Sequence, residues 1–392
     1  MAEEWMLVSV SWEHAYGACQ PAAAELLRVV ATLDLAVVSS PAVGVAAGLT
    51  PTETTEALAE LGQEGWVKPA QGGAGDAVAA RARTWLVANA AALVDPPRAA
   101  AIVRGFVEYH AAAVDLGRHD PAEVDAWLAR HHPEVLAAIR ACDRDGLRRL
   151  GMRLALAVLP SAKAPWWAEL AEAGEALAIA DRDPELLADL LHHSAATFAG
   201  HGDRLRAEEQ WVRALAIIRR PDHLEPGNRD LGIAVLSGLG ALYREWGRLG
   251  QALDADLGLV DLRLAEGDPL GIAEAMTTVA ATMHAAGRAS TAADYLAQAD
   301  EAITAILGAD DSLEVLALHT QILIRWGLAL WDHGQHTAAR RPWSRALAML
   351  IDVDDDAAEH VRALLATAPD DALPIGYPGL SNTSSSSSGG KG

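Results

Sequence analysis

The chain has 392 residues, 51% of them hydrophobic and 21% charged, with a formal net charge of −22. That apolar share is enough for a buried core and excludes an intrinsically disordered chain, leaving two or three domains or one long repeat array. No unbroken apolar run reaches the roughly 18 residues of a bilayer span, so no membrane protein is expected. The acidic balance also lacks the basic footprint on which nucleic-acid binding depends.

In chain order, Met1–Val10 carries two acids where a secretory leader carries bases, and the only cysteines are Cys19 and Cys142. Both features point to a cytoplasmic chain with reduced thiols. From Pro21 onward apolar residues recur at three- and four-residue spacing, as in Pro21–Leu33, Thr52–Leu61 and Pro97–Leu116, with Pro, Gly and Asp between segments. This pattern predicts helix nearly throughout. Strand character is confined to Trp66–Lys68 and the stretch after the turn signal Gln71–Gly75, where a small β-wing is expected. From Pro369 the composition turns to Pro, then Ser384–Ser388 and Gly, a flexible tail.

Internal repetition dominates the second half. The segments Ala188–Pro221, Ile233–Glu266, Ala273–Ile306 and Thr320–Val353 align at several positions. A turn glycine falls at Gly202, Gly247, Gly287 and Gly334, where a φ > 0 residue is cheapest. Five residues later stand Ala207, Ala252, Ala292 and Ala339, where a larger side chain holds two helices apart. Small residues in the first helix are Ala195, Gly240, Ala280 and Gly327, followed three positions on by Phe198, Tyr243, Met283 and Leu330. The second helix has Trp211, Asp256, Leu296 and Trp343 at its large position, so Asp256 departs from the pattern. A more worn copy is traceable at Arg149–Arg182.

These positions resemble the tetratricopeptide (TPR) template, a helical hairpin repeated into an array. Upstream, Ser9–Tyr16, Pro21–Arg28, Pro41–Leu49 and Thr54–Val67 in succession look like the winged-helix segment that follows the nucleotide-binding domain in AfsR-type signal-transduction (STAND) ATPase regulators. Phe106–His110 and Trp127–Ala141 resemble the helical linker of the same family. The resemblance implies an all-α fold: a TPR-like right-handed superhelix of helical hairpins with an N-terminal degenerate winged-helix cap. The implied divisions are a cap at 1–95, a helical linker at 96–148, repeats at 149–368 and a tail at 369–392. Two departures limit what carries over. No G-x-x-x-x-G-K-[ST] motif is present, so ATP binding is not expected. The family's nucleotide-sensing His-Asp is replaced by the stretch Val78–Leu86.

The helix expected to read DNA, Thr52–Gln63, has three Glu and no Lys or Arg, and residues 1–95 hold four basic against eleven acidic residues. A protein-docking or structural role follows for the cap, with no nucleic-acid partner. The pairs His131-His132 and His192-His193 are adjacent and splay about 100° apart on a helix, and no H-e-x-x-H spacing occurs, so neither a metal nor any other cofactor is expected. Cys142 precedes Asp143, whose charge disfavours a thiolate. Asp310-Asp311 and Asp354–Asp356 read as solvated connections.

If the repeat register is correct, the residues facing the concave wall are Asp189, His192, Ser237, Arg244, Glu245, Glu274, Thr277, His284, Gln321, Trp331 and Asp332. This mixed set suits a peptide with basic side chains, or a small amphipathic molecule stacked on Trp331. The expected function is a protein- or peptide-binding scaffold, regulatory or assisting a biosynthetic complex. The alternative is a small-molecule-binding or catalytic protein that uses the groove as its pocket, with His192, His284 or Asp332 as acid-base groups. As a wall residue, Arg244 is expected to affect ligand affinity and leave stability nearly unchanged.

Overall fold

Proline opens many of the helices, because its fixed φ suits the first turn and its missing N–H is not needed there. The computed structural model describes residues 12–70, 75–117, 121–144, 146–161, 166–219, 226–307, 312–351 and 354–366. The turn signal at 71–74, Asp310-Asp311 and the tail from 369 lie outside these residues. By compactness the chain divides into Met1–Leu242 and Tyr243–Gly392. The break falls inside a single helix, Pro226–Glu245.

The first unit begins with helix over residues 12–18. It continues through α1 (Pro21–Leu33), β1 (Val37–Val38), α2 (Ser40–Ala47), α3 (Pro51–Gln63), β2 (Val67–Pro69), β3 (Asp76–Val78), α4 (Ala80–Ala88) and α5 (Ala90–Leu93). At the start of α3, the Thr50 side chain accepts from the Glu53 amide while Glu53 accepts from the Thr50 amide, a capping box that satisfies two otherwise orphaned donors. The strands are antiparallel in the order β1-β3-β2, with Val37 opposite Ala77 and Val67 opposite Val78. Trp66 is fully buried beneath them, its ring 4.6 Å from that of Trp12 and 6.2 Å from that of Trp85.

The unit continues with α6 (Pro96–Gly117), α7 (Pro121–Ala141), α8 (Arg148–Val158), α9 (Trp167–Asp181), α10 (Pro184–Gly200) and α11 (Arg204–Ile218), and ends inside the helix Pro226–Glu245. One hydrophobic core runs from Ala23 to Leu190, so the sheet-bearing segment and the helices after it share an interior. A buried polar contact also ties them together. Glu134 of α7 accepts from the backbone N–H of Ser39 at 2.6 Å and from its hydroxyl at 2.8 Å. Ser39 caps α2, so this carboxylate takes up donors at that helix's N-terminus.

The helix Pro226–Glu245 is α12. The second unit then contains α13 (Leu249–Glu266), α14 (Pro269–Ala285), α15 (Ala289–Thr304), α16 (Leu313–Asp332), α17 (His336–Leu350) and α18 (Asp355–Ala366). Helices α14 and α15, and α16 and α17, pack as antiparallel hairpins. The expected register is visible in the backbone. Gly202, Gly247, Gly287 and Gly334 have φ of 80°, 71°, 74° and 83°, and Ala207, Ala252, Ala292 and Ala339 are all 0% exposed. The chain is all-α and built from TPR-like helical hairpins.

Three details depart from the sequence expectation. In α16 the buried large residue is Trp331, one position after Leu330, because its ring packs on Trp343 (5.5 Å between centroids) and on the edge of His336 (4.3 Å). Asp354–Asp356 is not a solvated connection: Asp355 and Asp356 form the acidic first turn of α18, and Asp354 accepts from the Ala357 amide at 2.9 Å. Finally, α16 is long and apolar enough to cross a bilayer by length and composition. Arg325 at its middle and its packing against α15 and α17 make it a core helix of the repeat.

Candidate binding face

The eleven residues assigned to the wall divide between the two units, and each set stands by itself. In the first unit, His192 on α10 is not a free wall group. Its Nδ1 accepts from Trp211 Nε1 at 3.2 Å. Burial, reinforced by the neighbouring His193, pushes its pKa down to about 4, so it is neutral near pH 7. That makes it a structural acceptor for an indole that itself packs against Gly238. Asp189 lies one turn from His193 and pairs with it at 3.5 Å. Ser237, on α12, is exposed.

The second unit carries the richer face. Asp256, the residue that departs from the repeat pattern, is 0% exposed on α13 at a position where the other hairpins place Trp or Leu. A buried carboxylate must be compensated. Arg244 at the end of α12 donates through Nη1 to both Asp256 oxygens, at 2.6 and 2.8 Å, and the Thr282 hydroxyl on α14 donates to Oδ2 at 2.6 Å. Three successive helices are thereby pinned by one carboxylate. The next cross-link lies on the facing surfaces of α14 and α16, where His284 Nε2 and Asp332 Oδ2 are 2.7 Å apart and the side chains are 37% and 49% exposed.

The remaining wall residues fall into two groups. Glu245 and Glu274 are exposed and Gln321 is half-buried. Thr277 and Trp331, expected on the wall, do not reach the surface. Thr277 is buried and its hydroxyl donates to Ala273 O, one turn back, at 2.7 Å, while Trp331 is 6% exposed in the hairpin core and is not available to stack a ligand. Both were misplaced because a one-position offset on a helix rotates a side chain by about 100°.

The sequence register missed two participants. Asp256 was visible as an acid at an apolar position, but its partners were not. Arg325 stands seven residues before Asp332 on α16, two turns away on the same face, and no motif marks it. Among the described residues, no group of three His, Cys, Asp or Glu is placed to hold a metal ion. Cys142 is buried and its thiol is pushed up to about 12, chiefly by burial.

No family model and no curated protein matches the chain. Among solved structures, BtubC (BKLC) from P. vanneervenii superposes with a TM-score of 0.37 at 16% identity, covering 69% of this chain and 97% of that one. A signal transduction ATPase with numerous domains (STAND) protein with a tetratricopeptide repeat sensor, from Pyrococcus horikoshii, superposes with a TM-score of 0.40 at 12% identity, covering 91% of this chain and 55% of that one. The chain thus spans about half the length of the Pyrococcus protein. Both scores lie below 0.5, so the class of protein, an all-α array of TPR-like hairpins, rests on the turn glycines, the buried alanines and the helix pairing.

Proposed function

We propose that the chain is a cytoplasmic scaffold that binds a protein or peptide along the face formed by the first helices of the hairpins in its second unit, in regulation or in assisting a biosynthetic complex. The observation that carries this reading is a set of polar groups on the first helices of successive hairpins: Arg244, held by Asp256, and His284, held by Asp332, with Glu274 exposed on the same helix as His284. Successive hairpins contribute these groups, and cross-helix bonds hold several of them. A row of polar groups spread along packed helices suits an extended ligand, whereas small-molecule sites gather a few polar groups in one closed apolar pocket. In this reading residues 1–95 are a winged-helix cap that docks on the helices following it. The order helix, strand, two helices, hairpin and the sheet order β1-β3-β2 support it. The cap is not a DNA reader, since α3 presents Glu53, Glu56 and Glu60. The chain neither binds nor hydrolyses ATP.

The test is selection of a displayed random-peptide library on the full chain, followed by competition. Enriched peptides are expected to lose binding on Glu274→Arg and His284→Ala while binding a cap variant, Arg81→Glu, unchanged. Enrichment insensitive to both α14 substitutions would remove the reading. One observation favours a second reading, a catalytic or small-molecule groove: the half-exposed His284–Asp332 dyad has the spacing of an oriented general base. Native mass spectrometry of the freshly purified chain separates the two, since only a small-molecule site is expected to retain an adduct that His284→Ala releases.

A further inference from the structure

His110 lies on α6 with none of its surface exposed, and neither of its ring nitrogens meets a hydrogen-bond partner among the described residues. Its ring is walled by Phe106, Tyr109 and Trp127, with centroids 4.6, 5.4 and 5.5 Å away. A neutral imidazole still carries one N–H, so this site leaves a donor unsatisfied and disfavours the charged ring further. A carboxylate stands just out of reach: Glu134 Oε2 on α7 is 4.0 Å from His110 Nε2, and its side chain is 4% exposed. That carboxylate is already engaged. Ser39 donates to it through its backbone N–H at 2.6 Å and its hydroxyl at 2.8 Å, and His131 Nδ1 lies 3.1 Å from Oε2. The Ser39 hydroxyl makes no capping bond to the first turn of α2, so both donors are spent on fastening the start of that helix to α7. Burial, reinforced by His131, pushes the His110 pKa down to about 4 against the pull of Glu134.

We propose that His110 and Glu134 form a proton-operated latch on the β1–α2 segment, in which Glu134 holds Ser39 while His110 is neutral and passes to His110 when the ring is protonated. The transfer closes 4.0 Å to the roughly 2.8 Å of a charge-assisted bond, a movement of about 1 Å. Ser39 then loses its acceptor, its donors turn to water, and the start of α2 loosens from α7. The other groups facing the pair do not reverse this. His131 on α7 holds Oε2 in either state, and Tyr109 on α6, its hydroxyl pushed up by burial and then by Glu134, stays neutral. From β1–α2, among the described residues, Glu134 receives only the neutral donors of Ser39. The sign follows from linkage: a ring held near 4 in the latched form and near its ordinary 6.5 once released favours release as the pH falls below about 6.5. The latch lies in the first unit and does not depend on the peptide-binding reading.

The experiment follows hydrogen–deuterium exchange of the full chain, each rate being referred to that of an unstructured peptide at the same pH. Between about pH 7.5 and about pH 5 the opening constant of residues 38–47 is expected to rise about thirtyfold, the linkage ratio for a group moving from about 4 to about 6.5. Helices α14 and α15 are expected to keep their protection over the same range. His110→Asn, which cannot take up the proton, should remove the rise, whereas His192→Asn should leave it in place. Glu134→Gln, which keeps the shape and loses the charge, should leave the segment exchanging fast at both pH values. In the parent chain with labelled histidine, the His110 ring signals are expected to titrate in step with the exchange. That measurement needs no variant and decides the matter if His110→Asn does not fold. A rise below about threefold in the parent, a rise that survives His110→Asn, or one that disappears in His131→Asn while surviving in His110→Asn overturns the latch. So does a His110 ring that stays neutral at a pH where residues 38–47 have opened.

Discussion

Helices α13 and α17 fill the same structural slot in opposite ways. In the second, Trp343 is fully buried against Gly327, where any Cβ would overlap its indole, and Nε1 donates to Ile324 O at 3.1 Å. In the first, Asp256 occupies the equivalent position and the space is closed by Arg244 and Thr282. The apolar solution gains transfer free energy and satisfies its single N–H locally. The ionic one gains little net stability once desolvation is counted, yet it is sensitive to loss of either partner. Arg244 also stays partly exposed, at 26%, whereas Trp343 is fully buried. A repeat can therefore give up core hydrophobicity at one hairpin and close the same space with a paired charge.

The contrast is testable from its largest consequence downward. Trp343→Ala should cost about 3–5 kcal/mol, the usual range for emptying a large aromatic site, read as a drop in the chemical-denaturation midpoint. Arg244→Ala should cost a similar amount, about 3–5 kcal/mol, because it strands a buried carboxylate. The double variant Arg244→Met with Asp256→Leu should recover most of that loss; if it melts as low as Arg244→Ala alone, the ion pair is not what holds the slot.

Acidification comes next. His110 and His192 both have pKa values pushed down to about 4, mainly by burial, from an ordinary 6.5. Because the unfolded chain then binds protons more readily, the stability they contribute is complete above about pH 6.5 and is lost as the pH falls towards 4. The loss is at most about 3 kcal/mol per site. Around His110, Glu134 lies 4.0 Å away and favours the charged form, and His131 opposes it. His192→Asn should flatten this part of the stability-against-pH curve, and an unchanged curve would remove His192 from the account.

Ala252→Leu, which forces three extra carbons into a fully buried site on α13, should cost about 1–3 kcal/mol by overpacking. The smallest effect belongs to His284→Ala, which breaks a half-exposed pair and should move stability by no more than about 1 kcal/mol, while altering ligand binding.

The turn glycines and the alanines five residues later were legible in the sequence because each answers to a local rule. A positive φ favours Gly at Gly202, Gly247, Gly287 and Gly334, and close helix approach demands Ala at Ala207, Ala252, Ala292 and Ala339. The strand at Trp66–Lys68 was legible too, as was the acidity of α3. Side-chain direction was not. Arg244 was expected to be a stability-neutral wall residue, and Trp331 and Thr277 ligand contacts, because periodicity assigns a face only to within about one residue, or 100° of rotation. Asp256 was visible as an anomaly, but its meaning depends on Arg244, 12 positions earlier, and Thr282, 26 positions later. Arg325 gave no signal at all, since what distinguishes it is that no described residue pairs with it. Local conformational rules act through neighbours in the chain and leave their mark on the sequence. The pairing and burial of charges is settled by helices that meet only in the folded molecule, and the tertiary structure alone decided which of them hold the fold.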